Sequence, residues 1–346
     1  MQDNIETCSP YRILHAVVGY KFPVYFTNAV NSVLQMTVDD DVLVVDNASQ
    51  EPELTRELQL IADKEPRVSL MLRDSNDISR NKKVGGLYDA YNEVIAHALR
   101  EGYDYLNLMQ HDSQLLWWDE SVLRRAQEIY AEYPECVNIC MHTLPRYGLL
   151  LAGNLEYVKP NLARLRNYGL TDTGLYDLNR WREHDMRFLE HEKAHAKKYL
   201  DEGLSVFFHP LPVVGFIPWP AVVRGGRVKG RELRSPHRFL LKPLTADQIT
   251  QVKEATEPIP LEDLAVPWGW ASLTPYWLTD VRAIDYWVCV YRDIRSRGLR
   301  AALPRWERRG LSAGGTLRQA QRRPRFGLLP AVAQPVWYGL RKRLAR

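Results

Sequence analysis

The sequence predicts an α/β fold: a mostly parallel sheet with helices on both faces, followed by a helical, basic C-terminal extension. Three observations predict it. Strand-like apolar runs alternate with amphipathic helical stretches over residues 12–142, the pattern of parallel strands joined by crossover helices. Runs such as DVLVVD carry little polar alternation, as expected of strands covered on both sides. After about residue 300 the composition shifts to Arg, Gly and Pro.

The first strand is RILHAVVG, residues 12–19. PVYFTNAVNSVLQM follows as a helix with Pro23 in its first turn, where a missing N–H is tolerated. DVLVVD is the second strand, from Asp41 to Asp46. EPELTRELQLIAD is an amphipathic helix and RVSLML a third strand. GLYDAYNEVIAHALREG is a helix closed by Gly102. YDYLNLM is a strand, DESVLRRAQEIYAEY a helix and CVNICMH a further strand. Residues 143–240 are less regular. There TDTGLYDLNRWREHDMRFLEHEKAHAKKYLDEG reads as mostly helical, LSVFFHP as a strand and GFIPWPAVVRGGRVKGRELRSPHR as a loop. Residues 245–300 hold at least two short helices and the aromatic cluster VPWGWASLTPYW. The chain thus divides into residues 1–240, a helical region 241–300 and a basic tail 301–346. It shows no internal repeat.

Of the 346 residues, 45% are hydrophobic and 25% charged, a balance that builds a packed core. The four cysteines, Cys8, Cys136, Cys140 and Cys289, are scattered. They suggest a reducing compartment without a disulfide framework, and Cys136 and Cys140 alone are too little for a metal site. The polar start MQDNIETCSP lacks the features of a signal peptide, and no apolar run reaches the roughly 20 residues a membrane span needs. The expected location is cytoplasmic, with peripheral attachment at the inner face of the membrane as an extension. The net charge of +4 is asymmetric. Residues 292–346 carry 15 Arg and Lys against Asp293 and Glu307, so that segment is +13 and the remainder −9. Such a tail suits phosphate groups, and an anionic membrane surface is the partner it points to; nucleic acid is not expected. A solvated basic tail is the plain alternative. Pro330 and Pro335 argue against one uninterrupted helix in it.

In a parallel sheet, ligands bind where the strands end at their carboxyl side. That directs attention to Gly19-Tyr20, Asp46-Asn47, Arg73-Asp74 and Gln110-His111-Asp112. Asp46 is suited to bind a base or a ribose hydroxyl, or else to close an Asx-turn. Asp112 is suited to hold a divalent cation with oxygen ligands, or else to form a turn. Gly85 and Gly86 open a helix whose N–H groups favour phosphate, with Arg80, Lys82 and Lys83 just upstream; a plain helix start is the alternative.

Taken together, these segments resemble family 2 glycosyltransferases. ILHAVVGYKFPVYFTNAVNSVL with DDVLVVDNAS resembles the family's opening strand, turn, helix and VVDNGS segment. GGLYDAYNEVIAHA matches its NxGxxxAxN helix through Gly86, Ala90 and Asn92. YLNLMQHDS is similar to its D-x-D segment, which reads LDQDS in rhamnosyltransferase-like members. The resemblance spans roughly residues 12–215. It implies a GT-A (Rossmann-like) fold in residues 1–240 and a nucleotide-diphosphate sugar donor, hexose or deoxyhexose. It also implies a glycan or lipid-linked glycan acceptor in surface polysaccharide synthesis. It places Asp46 and Asn47 at the nucleotide, Asp112 at the metal or diphosphate, and Tyr20, Arg80, Gly86, Gln110 and His111 around the donor. The implied cofactor is Mn2+ or Mg2+, with His209 and His237 as further ligands. Two positions depart from the pattern: Gln110 replaces the first Asp of D-x-D, and Val84 the first Asn of the helix motif.

The same resemblance gives meaning to FLEHEKAHAKKYLDEG. The family carries an ED pair about a dozen residues before a glycine and a strand. Counting back from Gly203 puts that pair at His191-Glu192. Glu192 then stands as the catalytic base and Lys198 in place of an Arg, with Asp185, Glu190 and His195 as alternates. His191 occupies the usual Glu position, and Ala194-His195 the usual Asp-Leu. The implied chemistry is direct displacement with inversion.

Two rivals stay open. His191-Glu192-x-x-His195 also fits the zinc-hydrolase pattern H-E-x-x-H. A catalytic zinc needs a third protein ligand, and the metzincin positions for a glycine and a third histidine hold Lys198 and Asp201. The other rival is a non-catalytic binding protein of the same fold, suggested by Gln110 and Val84. Arg224, Arg227, Lys229 and Arg231 suit closure over a diphosphate, or else a solvated loop. Trp117, Trp118, Trp219, Trp268 and Trp270 suit sugar stacking, or else the core.

Overall fold

The computed structural model describes residues 11–75, 86–141, 155–159, 162–165, 173–189, 192–208, 213–216, 227–228 and 231–232, with single positions at 246 and 250. The regions 241–300 and 301–346 otherwise lie outside the described residues.

The elements follow the predicted alternation. They run β1 (Ile13–Gly19), α1 (Pro23–Met36), β2 (Asp41–Asp46), α2 (Pro52–Lys64), β3 (Val68–Leu72), α3 (Leu87–Arg100) and β4 (Tyr105–Gln110). There follow β5 (Ser113–Leu115), α4 (Glu120–Glu132), β6 (Cys136–Cys140), β7 (Leu155–Lys159), β8 (Leu162–Leu165), β9 (Gly174–Asp177), α5 (Leu178–Glu183) and α6 (Glu192–Asp201). The last are β10 (Ser205–Phe208), β11 (Val214–Phe216), β12 (Arg227–Val228) and β13 (Arg231–Glu232).

Nine strands form one sheet in the order β3-β2-β1-β4-β9-β6-β10-β8-β7. Only β9 and β8 run against the others. Successive β1 residues point to opposite faces, as a pleated strand requires. Ile13 and Val17 enter a core with Phe26, Ala29 and Val33 of α1, Leu54 and Leu58 of α2, and Val122 and Ala126 of α4. Leu14, Ala16 and Val18 enter a second core with Tyr91 and Val94 of α3, Trp181 of α5 and Tyr199 of α6. The predicted class, a mostly parallel sheet with helices on both faces, is the observed one.

Residues 171–203 are less helical than predicted. Gly174–Asp177 is a strand that slots antiparallel between β4 and β6. Its sequence, GLYD, is too short to signal a strand alone; the open ladders on either side decide it, a tertiary override of local pattern. At its start Gly174 has φ +138, and an added Cβ would sit 2.5 Å from the Ile139 carbonyl oxygen. The stretch read as a loop, residues 215–238, contains the short antiparallel pair β12–β13. Elsewhere β5 pairs with β11 in a small sheet of its own.

Strand order turns around between β1 and β4. The chain leaves β1 toward β2 and β3, whereas β4 and the later strands of the sheet lie on the other side. A crevice at the carboxyl ends of β1 and β4 is the expected ligand position in such a sheet.

Gly174→Ala is expected to lower unfolding free energy by at least about 3 kcal/mol, since the methyl meets backbone and the positive φ strains it. Gly203→Ala, at φ +70 with nothing within 4 Å of the new methyl, tests strain alone and should cost about 1–2 kcal/mol. Denaturant midpoints of the two variants check the difference.

Candidate functional site

The loops after β1, β2 and β4 converge at this crevice. Gly19 lies beside Asp46, and Val18 beside Gln110. The two adjoining loops hang on the last carbonyls of β1: Asn47 N–H donates to Gly19 O at 2.8 Å, and His111 N–H to Val18 O at 3.0 Å. Gly19 is required by packing, because a Cβ there would lie 2.5 Å from the Phe26 ring.

Asp46 is buried at 4% exposure. Its Oδ1 accepts from Ser49 N–H at 3.1 Å and from the Ser49 hydroxyl. The Asx-turn alternative therefore holds for one oxygen. Ser49 Oγ in turn accepts from Lys21 N–H at 2.7 Å, stitching the post-β2 loop to the post-β1 loop. Both loops are strained: Lys21, Phe22, Ala48 and Gln50 have φ of 60°, 56°, 57° and 56°. Non-glycine residues in that region cost about 1–3 kcal/mol each and persist where surrounding structure enforces them, as at ligand sites. Tyr20 is half-buried, with Lys21 Nζ 5.0 Å from its ring centre.

Arg73, just past β3, ties the crevice to α3. Its Nε and Nη2 grip Glu93 at 2.9 and 2.8 Å. Its Nη1 donates to Asn47 Oδ1 and, at 3.2 Å, to Gly86 O. Gly86 is the N-cap of α3, with no side-chain cap, so the first N–H groups of that helix face the end where the strands finish. The sequence marked Arg73 as a strand-end residue without a role, and missed Ser49; the Asp-x-x-Ser spacing of a side-chain-closed turn was the available signal.

His111 is half-buried. Its ring stacks on Phe22 at 6.0 Å and 11° and tilts against Phe26 at 6.1 Å. Burial lowers its pKa below the ordinary 6.5, partly countered by the carboxylates of Asp112 and Asp46. Gln110 is half-buried at the end of β4. Asp112 Oδ1 is buried with no hydrogen-bond partner. A bare buried carboxylate oxygen is costly unless something binds it. Among the described residues no three His, Cys, Asp or Glu gather as a protein-made metal cage would need. The donor set fits a hard cation held by one carboxylate and completed by diphosphate oxygens and water, as Mg2+ commonly is.

The second predicted feature, α6, begins at Glu192. Its end is a glycine-closed cap: Gly203 has φ +70, and Leu204 N–H donates to Tyr199 O at 2.7 Å. The chain then enters β10 at Ser205, next to Cys136 at the start of β6. The helix therefore descends toward the strand starts, and Glu192 lies at its opposite end. Asn92, in the second turn of α3, holds Phe188 through its amide and so fixes the approach to α6. Lys198 Nζ donates to Asp185 O at 2.6 Å, so it braces this approach; Asp185 itself is exposed.

His195 is fully buried among Phe188, Tyr199 and Trp181, at 4.5, 5.0 and 5.8 Å between ring centres. It is an aromatic-core histidine, and its partner in the zinc pattern, His191, lies outside the described residues. Trp117 is a core residue, and Trp118 packs edge-on to His15 at 4.6 Å. Arg80, Lys82, Lys83, Gly85, Glu190, His191, His209, His237, Arg224, Lys229, Trp219, Trp268 and Trp270 lie outside the described residues. No described helix is long and apolar enough to cross a membrane.

Comparison with solved structures finds 219 similar chains, among them the following two. The chain is similar to the crystal structure of S. aureus TarS, with TM-score 0.39 and 16% identity over 58% of this chain and 37% of that one. It is also similar to the mannosyltransferase PcManGT from Pyrobaculum calidifontis in complex with GDP-Man and Mn2+, with TM-score 0.44 and 14% identity over 74% and 69% of the two chains. No family model matches the chain, and no curated protein does.

The His111 environment makes a pH prediction. In the folded chain the imidazole titrates below 6.5, so protonation favours the unfolded chain. The stabilising contribution is present above pH 6.5 and is lost as pH falls below it. NMR titration should find the low midpoint, and Asp112→Asn, which removes a charge that raises it, should lower it further.

Proposed function

We propose that the chain is a glycosyltransferase that uses a nucleotide-diphosphate sugar, with the donor in the crevice between the post-β1, post-β2 and post-β4 loops. One observation carries the reading. Asp46 and Asp112, the two carboxylates of the motif set, sit at the ends of the two strands that flank β1 at the switch point, and Asp112 Oδ1 is buried without a partner. Asp46 has its second oxygen for a ribose hydroxyl or base N–H, since the Ser49 contacts use Oδ1. Asn47, Tyr20 and Arg80 complete the nucleotide side in this reading, and Gly86, Gln110 and His111 the diphosphate and sugar side. Neutral His111 is suited to hydrogen-bond rather than to carry charge.

A divalent cation, Mn2+ or Mg2+, would rest on Asp112, with His209 and His237 as further candidates. When bound it supplies positive charge against the diphosphate. The chain's own chemistry is proton removal. Glu192 takes the proton from the acceptor hydroxyl as that oxygen bonds to the anomeric carbon. The bond from that carbon to the diphosphate oxygen breaks on the opposite face, which inverts the centre. The acceptor class is a glycan or lipid-linked glycan of a surface polysaccharide, reached at the inner face of the membrane through the basic segment 301–346. A non-catalytic binding protein is the second reading, favoured by Gln110 in place of a second carboxylate.

A panel of nucleotide sugars, assayed for transfer and donor hydrolysis with and without manganese, tests both readings. The transferase reading expects turnover with one donor, a loss of about 100-fold or more in Glu192→Gln, and a comparable loss in Asp112→Ala. It also expects deletion of residues 311–346 to reduce transfer to acceptors in anionic vesicles. Nucleotide binding without turnover favours the binding protein. Full activity in both point variants sinks the site.

A further inference from the structure

Asn92 sits on α3 with its amide turned toward a segment 96 residues away. Its Nδ2 donates to Phe188 O at 2.9 Å, and Phe188 N–H donates to its Oδ1 at 2.8 Å. One planar side chain thus satisfies both backbone groups of a residue in no helix or strand. This is the pairing a neighbouring strand would supply, and it is directional where apolar contact is not. The Phe188 ring meanwhile fills the space between three helices. It lies 5.0 Å from Tyr91 and 5.5 Å from Tyr88 of α3, 5.3 Å from Trp181 of α5 and 4.5 Å from His195 of α6. Four residues after Phe188 the chain reaches Glu192 and α6 begins.

At the same N-terminal end, less than two turns before Asn92, α3 meets the donor crevice, through Gly86 O on Arg73 and Arg73 on Asn47. The helix is therefore a rigid strut with the crevice at its first residue and the approach to α6 clamped to its second turn.

We infer that Asn92 is a positioning residue, whose clamp on Phe188 sets where the start of α6 stands relative to the donor crevice. The inference rests on the reading of Glu192 as the base. A base must come within hydrogen-bond reach of the acceptor hydroxyl, and a displacement of about 1 Å costs about 100-fold in rate. Asn92 touches no reacting atom; it acts through the Phe188 backbone. A purely structural role would lower stability and leave turnover per folded molecule and its coupling to Glu192 untouched.

The test uses the full chain as wild type, Asn92→Ala, Asn92→Asp, Glu192→Gln and the Asn92→Ala/Glu192→Gln double variant. Asn92→Asp is nearly isosteric and keeps the acceptor for Phe188 N–H, so it supplies a folded variant if the alanine does not fold; it then replaces the alanine in the cycle. Calorimetry measures affinity for the nucleoside diphosphate, and initial rates at saturating donor give kcat, well below each thermal midpoint. The expected result is affinity within about twofold of wild type and kcat down by about 100-fold. Glu192→Gln should cost far less in the Asn92 variant than in wild type, the non-additivity of groups acting as one unit. Wild-type kcat in the Asn92 variants, or additive losses, overturns the inference while Glu192→Gln stays inactive. Full activity in Glu192→Gln overturns the base assignment beneath it.

Discussion

Two carbonyls hold the candidate site together. Val18 O receives His111 N–H and Gly19 O receives Asn47 N–H, so the carboxylates of Asp46 and Asp112 are both referred to the end of a single strand. This works because β1 lies between β2 and β4 and is covered on both faces. A slip of β1 by one residue would exchange its two sets of apolar side chains between the cores and separate both loops from their anchors. Gly19 adds a second constraint. The Phe26 ring occupies the place of its side chain, which brings α1 and the strained Lys21-Phe22 turn hard against the strand end. Fixed backbone of this kind favours binding, since less ordering remains to be done when a ligand arrives.

The surrounding polar groups extend that order. Ser49 joins two loops through one hydroxyl. Arg73 spends its guanidinium on Glu93, Asn47 and Gly86, so its charge is matched and its planar fork is used for direction. The result is continuity from the β1 end through α3 to the Phe188 clamp, with Glu192 at the start of the helix beyond. The proposed donor crevice and the proposed base belong to different parts of the chain, yet both are referenced to α3.

Burial also decides which parts of the molecule are legible in the sequence. Strands β1, β2 and β4 were readable because burial on both faces leaves apolar runs such as AVV and VLVV. Asp46 and Asp112 stood out as carboxylates directly after such runs. Strand β9 was not readable: in GLYDLNRW the buried residues Leu175, Tyr176, Leu178 and Trp181 do not alternate as a strand on its own would. Its pairing comes from β4 and β6, partners far away in sequence. The polar wiring was also hidden. That Asp112 keeps a buried oxygen bare and that Asn92 reaches Phe188 depend on distances no spacing rule encodes. His195 shows the reverse case, where a motif-like spacing belongs to a residue packed among aromatic rings.

Everything proposed for the site requires a nucleotide diphosphate to be held between the strand ends carrying Asp46 and Asp112. A crystal structure of the chain grown in manganese, with the nucleoside diphosphate that binds best, tests this without intermediaries. The base or ribose should lie within hydrogen-bond distance of Asp46 and the diphosphate against Asp112, with the β1, β2 and β4 loops unchanged. A ligand seated elsewhere on the molecule, with the Asp46–Asp112 crevice empty beside it, would contradict the proposed site.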